Sequence, residues 1–152
     1  MLVASVRPLN ADTDQMGVVN HAVALRWFEL ARAEWLRRLS YTYREFEETG
    51  HMLPVYEVGI RYYRPAYYDQ LLSLEAELQI SSPVRVIFEY RVRDQKTGTL
   101  LLEGTTKHAV TTKQGRPKAL SDELRAIMQR GLSEQQAHMA ARATQTQTQT
   151  GG

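Results

Sequence analysis

Residues 12–39, DTDQMGVVNHAVALRWFELARAEWLRRL, join two short acids and a glycine turn to the longest helical pattern in the chain. Ala24, Phe28, Ala31, Trp35 and Leu39 recur at steps of three or four, with Val23, Trp27 and Leu30 beside them. That spacing predicts a wide apolar helical stripe, and two Trp and one Phe on it predict a helix enclosed by other structure. Arg26, Glu29, Arg32 and Arg37 occupy much of the remaining surface. Asn20 is suited to cap the helix, which makes His21 its first residue, with a backbone N–H among the unpaired donors of the first turn. Any chemistry in this stretch therefore sits at a helix N-terminus, where a developing negative charge is stabilised.

The rest of the pattern supplies a partner for that helix. Leu2 to Arg7 reads as a brief edge strand before Pro8, and Tyr41 to Gly50 as a short helix stopped by Gly50. Val55 to Arg64 is Val- and Tyr-rich and ends at Pro65. Leu72, Leu74, Ala76, Leu78 and Ile80 then alternate with Ser73, Glu75, Glu77 and Gln79, and Val84 to Val92 repeats the alternation. A hairpin signal at Asp94 to Gly98 leads into a strand over Leu100 to Thr112. Long strands with one polar face indicate an antiparallel sheet with one wet side, and the helix is the natural cover for the dry side. A last helix is expected over Glu123 to Gly131.

Composition bounds the function. The chain has 152 residues and is 43% hydrophobic, enough for one domain with a sizeable core. Its 19 basic and 17 acidic side chains are interspersed and leave a net charge of only +2, so no basic stripe marks a nucleic-acid protein. The absence of cysteine removes disulfides, thiolate nucleophiles and zinc–thiolate sites. No apolar run reaches the roughly 18 residues of a membrane span, and the expectation is a soluble, cytoplasmic protein. Two units are expected: a folded domain over 1–131, and a low-complexity, disordered tail over 132–152 that ends in TQTQTQTGG.

The residues that carry chemistry each have two readings. Asp12 and Asp14 bracket Thr13 where short acids commonly satisfy loop amides; a functional reading needs one carboxylate in an apolar cleft, free to act as base or nucleophile at neutral pH. The His21 imidazole has a structural reading, while its backbone N–H is placed to polarise a carbonyl and stabilise an oxyanion. Gly17 permits the turn between them, and Val18, Val19 and Asn20 complete it. A metal site drawn from Asp12, Asp14 and His21 lacks a further ligand set downstream, so no metal is expected.

The stretch DTDQMGVVNHAVALRWFELAR resembles the active-site signature of the 4-hydroxybenzoyl-CoA thioesterase-like group of hotdog-fold acyl-CoA thioesterases, including its YbgC branch. The resemblance continues through RYYRPAYYDQLL, FEYRV and EGTTKHAV and covers roughly residues 1–128. It implies an α+β hotdog fold, a long central helix wrapped by an antiparallel sheet of about five strands. It implies hydrolysis of an acyl-CoA thioester to free acid and CoA, with Asp14 catalytic, the His21 amide holding the thioester carbonyl, and no cofactor. It also implies a homodimer or tetramer with the site at a subunit interface.

Two positions depart from the family pattern. Ser81, Ser82, Pro83 and Val84 stand where a basic cluster for CoA phosphates is expected, leaving Arg61, Arg64, Arg85 and Lys107 as the candidate CoA contacts. Asn20 stands where an aromatic residue is common. Tyr62, Tyr63, Tyr67 and Tyr68 are candidates to line an acyl or aryl pocket. The alternatives are a thioesterase acting on acyl carrier protein or an aryl-CoA, such as a dihydroxynaphthoyl-CoA, and a non-catalytic acyl-CoA-binding module.

Overall fold

The computed structural model describes residues 1–150, with side chains through residue 144. Its strands are β1 (Leu2–Val6), β2 (Val55–Tyr62), β3 (Leu72–Ser82), β4 (Arg85–Asp94) and β5 (Leu100–Ala109); its helices are α1 (Val23–Arg37), α2 (Tyr43–Glu48) and α3 (Asp122–Thr150). The strands form one five-stranded sheet in the order β1-β3-β4-β5-β2, with every neighbouring pair antiparallel. This is the expected sheet, and α1 crosses its inner face over β3, with β1 and β4 on either side.

The helical stripe and the strand alternation meet as predicted. Trp27, Phe28, Ala31, Trp35 and Leu36 are buried against Leu74, Ala76, Leu78, Phe88 and Tyr90. Phe28 stacks on Tyr90 with ring centroids 4.3 Å apart, and Trp35 meets Phe88 edge-on at 5.8 Å. Such pairs add to the stabilisation from burial alone. Leu30 is the exception to the stripe, exposed on the far side of α1.

The C-terminal boundary differs from the sequence reading. α3 does not stop at Gly131 but runs through it and on past residue 132. Gly131 is a close-approach residue: a Cβ there would lie 2.4 Å from the Trp35 ring, so only glycine lets α3 settle on α1. Beyond it, Gln135 is buried, and its side-chain amide donates to the Leu78 carbonyl and accepts from the Leu78 N–H. Gln135 thus stands in for a strand residue along β3 beyond the reach of β1, satisfying backbone groups that an open edge would leave unpaired. Composition hid this because one glutamine in a polar run carries no signal of its own. The expectation of disorder at 151–152 lies outside the described residues.

The wet face is also less wet than the alternation implied. Ser73 and Glu75 are buried, and Glu75 Oε1 is approached by Arg93 at 3.1 Å and by Arg142 of α3 at 3.5 Å.

A directed chain of hydrogen bonds crosses the core. Arg32 donates to the Tyr90 hydroxyl (3.1 Å), which pairs with Thr106 Oγ1 (2.6 Å), which pairs with His108 Nε2 (2.8 Å). His108 Nδ1 lies 3.0 Å from the Leu53 carbonyl, which only accepts, so Nδ1 carries the proton and Nε2 accepts from Thr106. Arg32 can only donate, which blocks reversal of the chain and favours a neutral imidazole. Burial is the main cause that pushes the His108 pKa down from 6.5 to about 4, with the Arg32 charge adding to it. Because the folded value lies below the unfolded one, unfolded chains bind more protons between these pH values, and stability falls as pH drops from 6.5 toward 4. The loss is expected to reach about 3 kcal/mol. Urea midpoints measured across that window should fall steadily, and His108→Gln should flatten the slope; equal slopes in both proteins would refute the assignment.

Candidate active site

Residues 12–21 fold as a small hairpin laid against the N-terminus of α1. Thr13 and Val19 form an antiparallel bridge, and at the tip the Gly17 N–H donates to the Asp14 carbonyl at 3.1 Å. Gly17 adopts φ +77°, a conformation that other residues reach only with strain, so the expected turn is there. Asp14 Oδ1 accepts from the N–H groups of Met16 (2.8 Å) and Val18 (3.1 Å), while Oδ2 has no hydrogen-bond partner among the described residues. One oxygen of Asp14 thus organises the loop, as the structural reading expects, while the apolar cleft that the functional reading asks for is not found around this exposed side chain.

Asp12 is wholly structural. It is buried, its Oδ2 accepts from the Leu9 N–H at 2.8 Å, and its Oδ1 pairs with Arg26 of α1. Its carbonyl accepts from the Asn20 N–H at 2.8 Å, which ties the two ends of the hairpin together.

The helix start is shifted from the expected position. α1 begins at Val23 rather than His21, and Asn20 caps a tight turn instead, its Oδ1 accepting from the Ala22 N–H at 2.9 Å. The His21 N–H still has no acceptor among the described residues, and it now lies just ahead of the positive end of the helix rather than within its first turn. The His21 imidazole is exposed and meets the Tyr62 ring edge-on, with centroids 4.5 Å apart.

A cavity of about 280 Å³ opens beside His21. The hairpin contributes Val18, Val19, Asn20 and His21; α1 contributes Ala24 and Trp27; and the end of β2 and the loop after it supply Tyr62 to Ala66. Two links hold that wall in place: the Val19 N–H donates to the Ala66 carbonyl at 2.8 Å, and Val18 bridges to Tyr67. Tyr62 lies opposite the buried Leu102 of β5, which brings its side chain to the helix side of the sheet. Its hydroxyl donates to the His21 carbonyl at 2.6 Å, and burial raises its pKa, which keeps it a donor at neutral pH. Asp14 is not a lining residue; it sits exposed at the hairpin tip. Tyr67 and Tyr68 are exposed and also stay outside the cavity.

The four candidate CoA contacts do not gather in one place. Arg64 lines the cavity. Arg61 lies on the outer face of the sheet across from Glu103. Arg85 stands over the Tyr56 ring at 5.8 Å, at the opposite end of β4 from Val92, the residue facing Leu102. Lys107 pairs with Glu57 at 2.7 Å, a contact that raises its pKa. Strand alternation alone could not separate them, because it says which face a residue takes but not how far along the sheet it lies. The contact of Tyr62 with His21 was missed for a related reason: it spans 41 residues and depends on the register between β2 and β5.

Comparison with known proteins identifies the family. Residues 8–128 match the family model of the Thioesterase-like superfamily. The chain is 35% identical over 117 residues to the acyl-CoA thioesterase YbgC of Haemophilus influenzae, an alignment covering 76% of this chain and 84% of that protein. Among solved structures, the protein TT1821 from Thermus thermophilus superposes with a TM-score of 0.77 at 32% identity, covering 88% of this chain and 98% of that one. A DHNA-CoA thioesterase from Staphylococcus aureus gives 0.76 at 25% identity, covering 88% and 89%. A match that spans most of the chain, repeated in sequence relatives and in solved structures, means that the chain belongs to the thioesterase-like superfamily and is a hotdog-fold thioester hydrolase.

Proposed function

We propose that this chain hydrolyses acyl-CoA thioesters to the free acid and CoA, using Asp14 as base or nucleophile and the His21 N–H as oxyanion donor. The observation that carries the reading is His21, a residue of the cavity wall just ahead of the helix, whose N–H has no acceptor among the described residues and which lies one short hairpin away from Asp14. A thioester carbonyl placed there receives a hydrogen bond and the positive helix end together, and both act most strongly on the tetrahedral oxyanion. Asp14 Oδ2 then has two routes. As general base it takes a proton from water while the water oxygen attacks the carbonyl carbon, the C–S bond breaks, and the CoA thiolate is protonated. As nucleophile it forms a mixed anhydride, expels the thiolate, and is freed when water hydrolyses the anhydride.

Aromatic lining favours a second reading within the same chemistry. Trp27, Tyr62 and Tyr63 on the cavity wall suit an aryl acyl group, and the similar Staphylococcus aureus protein is a DHNA-CoA thioesterase. Arg64 is the candidate for a CoA phosphate, being the one of the four cations that lines the cavity.

The same reading includes a homodimer or tetramer. β2 ends the sheet, and its Val55, Tyr56, Val58 and Tyr62 are 42%, 52%, 44% and 39% exposed. An open edge with that much apolar surface is a liability in a lone chain, and a second copy paired along β2 would cover it.

Free-thiol release from short acyl-, long acyl- and aryl-CoA, beside acyl carrier protein thioesters, tests the proposal. Thiol release from at least one CoA thioester is expected, with kcat/KM ranking the acyl groups. Tight acyl-CoA binding with no thiol released from any member would favour a non-catalytic binding module instead.

A further inference from the structure

The first turn of α1 is wound more tightly than the rest. The N–H groups of Val23, Ala24 and Leu25 donate to the carbonyls of Asn20 (3.1 Å), His21 (3.4 Å) and Ala22 (3.2 Å), each three residues back. In regular α-helical winding the Leu25 N–H would reach the His21 carbonyl. Here that carbonyl keeps only the long contact from Ala24, and its short partner at 2.6 Å is the Tyr62 hydroxyl, which arrives from β2.

We propose that Tyr62 is a positioning residue for the oxyanion donor: its hydroxyl holds the His21 carbonyl, keeps the tight first turn, and so sets the direction of the His21 N–H beside the cavity. The inference rests on the His21 N–H being that donor. Two other contacts fix the preceding residue, since the Asn20 N–H donates to the Asp12 carbonyl at 2.8 Å and Asn20 Oδ1 accepts from Ala22 at 2.9 Å. The peptide that carries the His21 N–H, whose own Asn20 carbonyl accepts from Val23 at 3.1 Å, thus lies between two held neighbours: the Asn20 N–H bound from the hairpin and the His21 carbonyl bound from the sheet. Removing the phenol hydroxyl frees the second of them. The turn can then relax toward α-helical winding, and the N–H swings with it. Donor direction matters because an oxyanion hole works only when its donors already point at the developing charge.

Tyr62→Phe is the fitting variant, since the edge-on ring contact with His21 remains and only the hydroxyl is lost. Steady-state thiol release with benzoyl-CoA and hexanoyl-CoA is measured on wild type and variant, together with thermal melts and the His21 backbone amide resonance in ¹H–¹⁵N spectra. The expected result is kcat lowered by about ten- to thirtyfold, KM within about twofold, an unchanged melt and a displaced His21 resonance. Unchanged kcat in the variant beside an active wild type overturns the positioning role and leaves the thioesterase reading in place. A loss of kcat that follows a loss of folded protein marks a merely structural tyrosine and overturns it as well. Should the wild type release no thiol, the thioesterase reading fails, and a His21 resonance that does not move in the variant then overturns the positioning.

Discussion

Asp14→Asn is expected to lower kcat by at least about a hundredfold while leaving the chain folded. The local hydrogen bonding makes this substitution a clean one. Asp14 Oδ1 holds the hairpin by accepting from Met16 and Val18, and an asparagine oxygen can accept the same two bonds. What the amide cannot do is take a proton from water or form a mixed anhydride. Loss of chemistry is therefore separated from loss of the turn, which Asp14→Ala would confuse. Thiol release under saturating acyl-CoA reads the first effect, and circular dichroism reads the second. Near-normal turnover in a folded Asp14→Asn chain would move the chemistry to another residue.

The largest effect on stability is expected from Trp35→Ala, at about 3–5 kcal/mol. Trp35 is fully buried, meets Phe88 edge-on and touches Gly131 of α3. Its indole N–H also donates to Gln135 Oε1 at 3.3 Å. Truncation leaves a void that Gly131 has no side chain to refill, and it strips one donor from the amide that completes the β3 edge. Domains of this kind are stable by only about 5–15 kcal/mol in all, so a large shift in the urea midpoint should follow. A change below about 1 kcal/mol would mean that the site collapses around the missing ring.

The fold was largely legible before the structure. The stripe on residues 24–39 and the alternation on 72–92 each have a period that belongs to one kind of element, and burying both demands a helix on a sheet. Misreadings fell where a residue serves two elements. Gly131 read as the end of the last helix, where the composition turns polar; the real constraint on that glycine is an indole that belongs to another helix. Arg32 read as part of the solvent face of α1, yet it bonds the hydroxyls of Tyr43 and Tyr90. Glu75 read as wet by its place in the alternation, but Arg93 and Arg142 close over it.

The same division runs through the site. The order of residues from Asp12 to His21 determined by itself that a short acid, a glycine turn and a helix N-terminus lie together, because these contacts are local and need only the chain's own geometry. The two acids were chemically alike in the sequence. Tertiary structure separated them by burying Asp12 against Leu9 and Arg26 and leaving one oxygen of Asp14 without a partner among the described residues. It also decided which of several tyrosines and basic side chains reach the cavity, bringing in Tyr62 and Arg64 and placing Arg85 and Lys107 elsewhere. Those choices depend on strand register and on how far along the sheet each residue lies, and register is settled only when β2 pairs with β5.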